Sequence, residues 1–392
     1  MQWITEETGW ILPEESGFLP DDRTGGQPAP EELIRLGAAL AEASPRCMVG
    51  YEPDSGKARA DAMLLAGAAA SAGGTVILVP DCAPAELGQA SRAGTCGLVL
   101  FAGADRLRMY AGGLLPVTKQ QAESLKAAAA REPVWRGKQE TGSISEGKAL
   151  RLLYPAQILA RMPAECHMKP ECSSASGRIR TLAEQIFRGG SGEELTVQLS
   201  ADGRRVSVYA ERVGWLFWEQ LLLMRTQHCL LHGEDAALPY WVPHTAELMA
   251  KRAGRRILRY ASRSDGSDRE ARALAISQGF TLDGLALTAD LLRIQAEEEP
   301  DLKRWAESLP PCKTVRRILY TDAAGDAAAR CGTVMRTVRT PEGLRVSDRR
   351  GAALLRPSAS GKTLTMLVEA MSAEAASELA GDIASLISAK RD

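Results

Sequence analysis

Arg356, Ser358, Ser360 and Lys362 fall close together near the C-terminus, in the stretch Arg356-Pro357-Ser358-Ala359-Ser360-Gly361-Lys362. A guanidinium offers a planar fork of donors, an ammonium a point charge, and two hydroxyls lie between them. That set suits a phosphate dianion. Ala359 and Gly361 carry little or no side chain, so a ligand has access to the backbone N–H groups. Each charge-assisted hydrogen bond would contribute roughly 1.5–3 kcal/mol. The same residues also read as a solvated turn with two surface cations. Apolar runs of strand length, Ala352–Leu355 and Thr363–Ala370, flank the loop, so the expected frame is a hairpin. Gly361-Lys362-Thr363 imitates the end of a nucleotide-binding P-loop. That motif needs a glycine where Arg356 stands and a helix after the lysine. A strand follows here, which argues against a Walker loop.

The second place for chemistry is Ala102-Gly103-Ala104-Asp105-Arg106. It follows the third of three buried strands, Arg46–Tyr51, Thr75–Val79 and Cys96–Phe101, with an Ala-rich helix (Lys57–Ala72) and a second helix (Ala83–Ala93) between them. Such a βαβαβ unit implies a parallel sheet with helices on both faces. Ligands of open parallel sheets bind beyond the C-terminal strand ends. The loop holds no Ser, Thr, Cys, His or Glu. Asp105 is its one candidate nucleophile, and an Asp in a turn also serves as a local cap.

The elements around these two loops come from 392 residues, 45% hydrophobic and 25% charged, with net charge −1. A chain of this length buries large cores and divides into two to four domains by the usual scaling. Near-neutral charge gives no electrostatic case for nucleic acid or an anionic membrane. No apolar run reaches the ~18–20 residues that span a bilayer. The acidic N-terminus lacks the basic and apolar segments of a signal peptide. The eight cysteines form no C-x-x-C pair, and the usage fits reduced thiols in a cytoplasmic protein.

After a helix at Thr118–Arg131, residues 132–148 are polar and read as a linker. Pro170–Arg178 is small and polar and opens a helix, Ile179–Phe187, as an N-cap loop. Leu195–Leu199 and Val206–Tyr209 read as a hairpin around Asp202-Gly203. Helices at Trp215–His228, His244–Ala253, Leu282–Ala296 and Leu302–Leu309, with a strand at Ile257–Tyr260, precede the Pro310-Pro311 boundary. The last region, closed by a helix at Ala373–Ala389, reads as a small α+β domain.

In this order the pieces resemble the α-D-phosphohexomutase superfamily of phosphoglucomutases and phosphomannomutases. The likeness is clearest in GLRVSDRRGAALLRPSASGKTLTMLVEAMSAEAASELAGDI and in Leu33–Leu125, which includes LRMYAGGLLPVTKQQAESL. It is looser in LSADGRRVSVYAERVGWLFWEQLLLM, HTAELMAKRAG and DGLALTADLL. The resemblance implies an α/β fold of several mixed domains with a shortened second domain and a C-terminal α+β domain. The expected divisions are an irregular lead-in at 1–30, a first domain at 31–135 and a linker at 136–150. A reduced second domain then spans 151–200, a third 201–310 and the phosphate-loop domain 311–392.

The resemblance also implies a chemistry. A phosphoserine gives its phosphoryl group to a hexose phosphate, with Mg²⁺ held by carboxylates, a sugar-binding loop and a distal phosphate loop. Where that family reads T-A-S-H-N-P, Gly103 takes the serine position and Ala104 the histidine position, so no phosphoenzyme forms there. The metal motif D-x-D-x-D-R aligns with Ser200–Arg205 and leaves Asp202 and Arg205 as remnants. One carboxylate beside an added guanidinium is a poor Mg²⁺ site. The sugar loop G-E-E-S-G-G-H has no counterpart, and SDREARALAISQGF stands in that region. The distal loop keeps Arg356, Pro357, Ser358 and Ser360, with Lys362 added. The expectation is a catalytically degenerate relative without a cofactor, Mg²⁺ being needed only if it turns over. It would bind a phosphorylated sugar or other small anion through Arg356, Ser358, Ser360 and Lys362, or serve a protein partner. The alternatives are an active mutase with Asp105 as nucleophile, and a structural interaction protein.

Overall fold

The computed structural model describes residues 10–11, 19–20, 29–104, 107–163, 165–189, 192–298, 301–320, 326, 330–357 and 363–388. The lead-in expected to be irregular contains a short antiparallel pair, β1 (Trp10–Ile11) with β2 (Leu19–Pro20). The first domain follows as α1 (Pro30–Ala43), β3 (Arg46–Tyr51), α2 (Gly56–Ser71), β4 (Thr75–Val79), α3 (Pro84–Ala93), β5 (Leu98–Ala102), β6 (Leu107–Ala111), α4 (Lys119–Ala129) and β7 (Ser143–Glu146). Its sheet runs in the order β6-β5-β3-β4-β7, parallel except for β6. β5 is buried along its whole length because both faces are covered, as its uninterrupted Leu-Val-Leu-Phe-Ala run requires.

β7 corrects the linker reading. Ser143–Glu146 pairs parallel with Thr75–Leu78 of β4 and closes one edge of the sheet. All four residues are exposed, so the strand has no alternating apolar pattern to betray it.

The middle of the chain comprises α5 (Lys148–Leu159), β8 (Met168–Ser174), α6 (Gly177–Ile186), β9 (Glu193–Leu199), β10 (Val206–Ala210), β11 (Gly214–Leu216), α7 (Trp218–Leu231), β12 (Ala236–Pro239), α8 (Thr245–Ala253), β13 (Ile257–Tyr260), α9 (Arg269–Gln278), α10 (Gly284–Glu298) and α11 (Leu302–Ser308). β8 falls partly in the stretch read as an N-cap loop. Pro170 is tolerated because β8 is an edge strand of the sheet β11-β10-β9-β8. The cap itself is Ser176, whose hydroxyl accepts the Ile179 N–H. A boundary between residues 200 and 201 would cut the β9–β10 hairpin, whose register pairs Leu199 with Val206. One core unites the two parts expected to be separate: Ile179 and Leu182 of α6, Leu221 of α7 and Leu285 of α10 pack together. β12 and β13 form a separate parallel pair.

The C-terminal domain consists of β14 (Lys313–Tyr320), β15 (Arg336–Thr340), β16 (Gly343–Ser347), β17 (Gly351–Pro357), β18 (Thr363–Ala370) and α12 (Ala373–Ser388). Its antiparallel sheet runs β14-β18-β17-β16-β15, and α12 buries Leu379 and Ile383 against it. The expected hairpin is present: β17 and β18 pair from Gly351–Ala370 to Pro357–Leu364. Among the described residues no helix is long and apolar enough to cross a membrane. All eight cysteines are free thiols, and burial pushes the Cys47 thiol up to about 12.

Candidate functional site

Gly103 is buried directly beyond the C-terminal end of β5, and Ala104 beside it is exposed. The loop after β3 reaches over to hold them. The Glu52 N–H donates to the Ala102 carbonyl at 3.1 Å, and the Glu52 carboxylate accepts the Ala104 N–H at 2.8 Å. A backbone donor at the strand end is therefore already paired with an anion, which opposes a phosphate at the same place. Neither Gly103 nor Ala104 has a nucleophilic atom. Asp105, the alternative nucleophile, lies outside the described residues.

Asp202 and Arg205 lie in the β9–β10 turn, which is wedged between the first domain and α10. The Ala85 N–H donates to the Asp202 carbonyl at 3.3 Å, and the Gly284 N–H donates to the Gly203 carbonyl at 2.9 Å. The Asp202 carboxylate accepts from the Ser200 hydroxyl at 2.6 Å and from the Arg204 N–H at 3.1 Å. Burial pushes its pKa up, but the Arg204 guanidinium, the Ser200 hydroxyl and the Arg204 N–H outweigh that and bring it below the ordinary value. Arg204 itself donates to the Leu114 carbonyl at 3.2 Å and stacks over the Tyr110 ring at 5.0 Å. The turn thus carries a covalently attached cation beside its single carboxylate. A divalent ion needs several oxygen ligands, and this donor set does not fit Mg²⁺. The Arg205 N–H donates to Ser200 Oγ at 3.0 Å, and its guanidinium sits 5.9 Å over Trp241.

The β9–β10 turn packs against β6 of the first domain, where Arg204 covers Tyr110. Arg108, which faces Phe101 across the β5–β6 pair, is close enough to help depress the Asp202 pKa. Gly203 makes the junction possible. Its φ is +73°, and an added Cβ would lie 2.6 Å from Ile179 Cδ1 and 3.0 Å from Ala85 Cβ. We expect Gly203→Ala to lower stability by at least about 2 kcal/mol, from left-handed strain plus overpacking. Urea unfolding of the full chain measures it, and a loss under about 0.5 kcal/mol, the scatter of ordinary surface changes, would refute the account.

Arg356 has a different environment from the one expected of a phosphate ligand. Ser358, Ser360 and Lys362 lie outside the described residues. Arg356 is buried at the end of β17, with its Nε 3.0 Å from Glu342 Oε2 and its Nη2 donating to Ser262 Oγ at 2.9 Å. Glu342, in the turn between β15 and β16, is buried as well. Its Oε1 accepts from the Ser262 hydroxyl at 2.5 Å and also from the Ser262 N–H. The guanidinium is neutralised by a carboxylate and ties the C-terminal domain to the segment after β13. The segment in turn touches the first domain, where the Lys119 N–H donates to the Ser264 carbonyl at 2.8 Å. Neither Glu342 nor Ser262 belongs to a local motif, so no sequence signal marks them.

The region expected to replace the sugar loop is the helix α9. Its buried Arg272 donates to the carbonyls of Pro116 and Ala261, so it closes the junction with the first domain rather than presenting donors to a ligand. A shallow cleft opens nearby between segment 240–244 and the C-terminal sheet. The Glu369 carboxylate crosses it, accepting the His244 N–H at 2.6 Å and pairing with Arg345 at 2.8 Å. Arg259 fixes the segment through the carbonyls of Pro239, Val242 and Pro243 and through Glu247. Burial pushes Glu247 up, but His244 and Arg259 overcome that and hold it at about 2.

No protein-family model matches the sequence, and no curated protein matches it. Solved structures do resemble it. A phosphoglucomutase/phosphomannomutase family protein of Burkholderia thailandensis superposes with a TM-score of 0.68 at 14% identity, covering 91% of this chain and 92% of that one. A Thermus thermophilus protein described as a phosphomannomutase gives 0.65 at 16% identity, covering 91% and 95%. The Paramecium phosphoglucomutase pp63/parafusin, in its open form, gives 0.60 at 9% identity, covering 90% and 91%. At such identities the likeness speaks for architecture, and over most of its length the chain has the fold of these phosphoglucomutase and phosphomannomutase structures.

Proposed function

We propose that this chain is a phosphohexomutase-fold protein that does not perform the phosphoryl transfer and acts by binding a phosphorylated sugar or other small anion, or as a regulatory or structural subunit for a protein partner. The observation that carries the reading is Arg204. A guanidinium held by Leu114, Tyr110 and the Asp202 carboxylate occupies the position that the resemblance gives to a metal-binding carboxylate. Metal and charge stabilisation supply most of the rate in phosphoryl transfer. Gly103 leaves the loop after β5 without a nucleophile, and Glu342 neutralises Arg356 at the distal loop. Anion binding then rests on Ser358, Ser360 and Lys362.

A coupled mutase assay on the full chain tests this, with glucose 1-phosphate or mannose 1-phosphate, Mg²⁺ and the matching hexose bisphosphate. We expect no turnover above the blank, and none after Gly103→Ser alone, because Arg204 remains. Turnover abolished by Asp105→Asn would overturn the proposal in favour of an active mutase with a relocated nucleophile. Thermal denaturation separates the binding roles. A phosphosugar at ~100 times its Kd adds about 2.7 kcal/mol, an effect that Lys362→Ala should diminish. No shift with any hexose phosphate would remove the phosphosugar role.

A further inference from the structure

At the far end of the shared middle core, the end of α7 carries His228 in its last turn and His232 at its C-cap, one helical turn apart, and the last residue of α10 is Glu298. The two imidazoles stack with centroids 4.1 Å apart and planes at 23°. Both Nε2 atoms approach one carboxylate oxygen, Glu298 Oε1, at 2.7 Å from His228 and 3.3 Å from His232. One ligand atom from each residue lies within 4.8 Å of the others.

The tautomer of His232 is set by its other nitrogen. Nδ1 lies 2.9 Å from the His228 carbonyl, which only accepts, so Nδ1 carries the hydrogen. In the neutral ring the Nε2 lone pair then faces a carboxylate oxygen at 3.3 Å. Two acceptors face each other, and a cation between them satisfies both. A backbone carbonyl on the distal nitrogen is also the arrangement that orients histidine ligands at metal centres. We propose that His228, His232 and Glu298 form a site for a divalent transition ion, with Zn²⁺ the best match to two imidazoles and a carboxylate.

One ligand separation already agrees with that ion. Ligands at Zn–N and Zn–O distances near 2.0–2.1 Å in tetrahedral array stand about 3.3 Å apart. The His232–Glu298 separation already has this value; the 2.7 Å His228–Glu298 contact opens by about 0.6 Å, and the imidazoles, stacked at 23°, turn so that both Nε2 lone pairs converge on the ion. His232 and Glu298 are about half exposed, so solvent reaches the fourth position and the ion has an entry path. The site lies at the C-terminal, negative end of the α7 dipole, which adds a favourable potential for a cation. One group opposes binding. Arg225 Nη1 lies 3.4 Å from His228 Nδ1, which must be protonated when Nε2 binds metal. That contact is long, and Arg225 is held by Asp290 at 3.0 Å and by Cys229 Sγ at 2.9 Å, so it costs little to relax. The site would pin the end of α10 to α7, two helices joined elsewhere by packing and by the Arg225–Asp290 pair.

Equilibrium titration of the full, metal-stripped chain with Zn²⁺, followed by calorimetry, tests the site. Co²⁺ serves as a spectroscopic stand-in. We expect one saturable ion per chain, a tetrahedral Co²⁺ spectrum without thiolate charge-transfer bands, and a raised melting temperature. His232→Ala and Glu298→Gln, both at half-exposed positions, should each weaken binding by at least about tenfold, while circular dichroism stays unchanged. Absence of saturable Zn²⁺ binding overturns the proposal and leaves a trio held by protons. Binding that survives both substitutions, or thiolate bands with Co²⁺, overturns it in favour of a cysteine site. Mutase activity is not a readout, so the result is independent of the proposed function.

Discussion

Glu86→Gln should destabilise the chain by about 3 kcal/mol, the lower end of the cost of removing one partner from a buried ion pair. Glu86 is fully buried in α3 of the first domain. Its carboxylate receives a bidentate guanidinium from Arg178 of α6, at 2.9 and 2.6 Å, and Arg151 of α5 approaches to 4.0 Å. Oε2 also accepts the Ala83 N–H at 2.8 Å, so Glu86 satisfies the N-cap donor from inside the first turn, with no side-chain bond returned by Ala83. Gln keeps the shape and that cap but removes the charge. Two guanidiniums, each mostly buried, then face a neutral amide. Arg178 retains some exposure, hence the lower end of the range. A shift of the urea midpoint at unchanged slope measures the loss. A change under about 1 kcal/mol, the scale of surface pairs, would show that water compensates the arginines.

The second large effect is expected at the other end of the molecule. Arg356→Met takes the guanidinium from the buried Glu342 carboxylate and leaves its hydrogen bonds from Ser262, at a cost of about 3–5 kcal/mol. Because the pair joins two domains, the loss falls on docking of the C-terminal domain. Calorimetry should show that domain melting in a separate, earlier transition. The double variant Arg356→Met with Glu342→Gln should recover part of the loss, since no lone charge is left behind. If Arg356 is instead a phosphate ligand, the single variant will weaken hexose-phosphate binding and leave the unfolding profile nearly intact. The two readings of this residue therefore predict opposite results in two simple measurements.

These two carboxylates also show how much of the molecule was legible beforehand. The helix that carries Glu86 was readable from its sequence, with Pro84 at its first position. The partner of Glu86, Arg178, lies in another domain and leaves no trace in the sequence around Glu86. Glu342 and Ser262 have no local signature at all. The parallel core of the first domain was readable because β3, β4 and β5 are short, continuous apolar runs separated by helices. β7 was not, because an exposed polar edge strand is defined by its hydrogen-bond partner and not by its own pattern. The hairpin around the distal loop was readable from its flanking runs, and its register followed.

By itself, then, the sequence determined what is local: the βαβαβ order, the Asp202-Gly203 turn, the β17–β18 hairpin, and the absence of a hydroxyl at Gly103 and Ala104. It also showed a second guanidinium in the turn where carboxylates were expected. Only the tertiary structure decided what each charge faces. It set Arg204 beside Asp202 and against the first domain, gave Arg356 to Glu342 instead of to open solvent, and brought Glu298 to two histidines some seventy residues away. The physical reason is that a charge acts through its nearest counter-charge and the dielectric around it. Both are fixed by packing between elements distant in sequence.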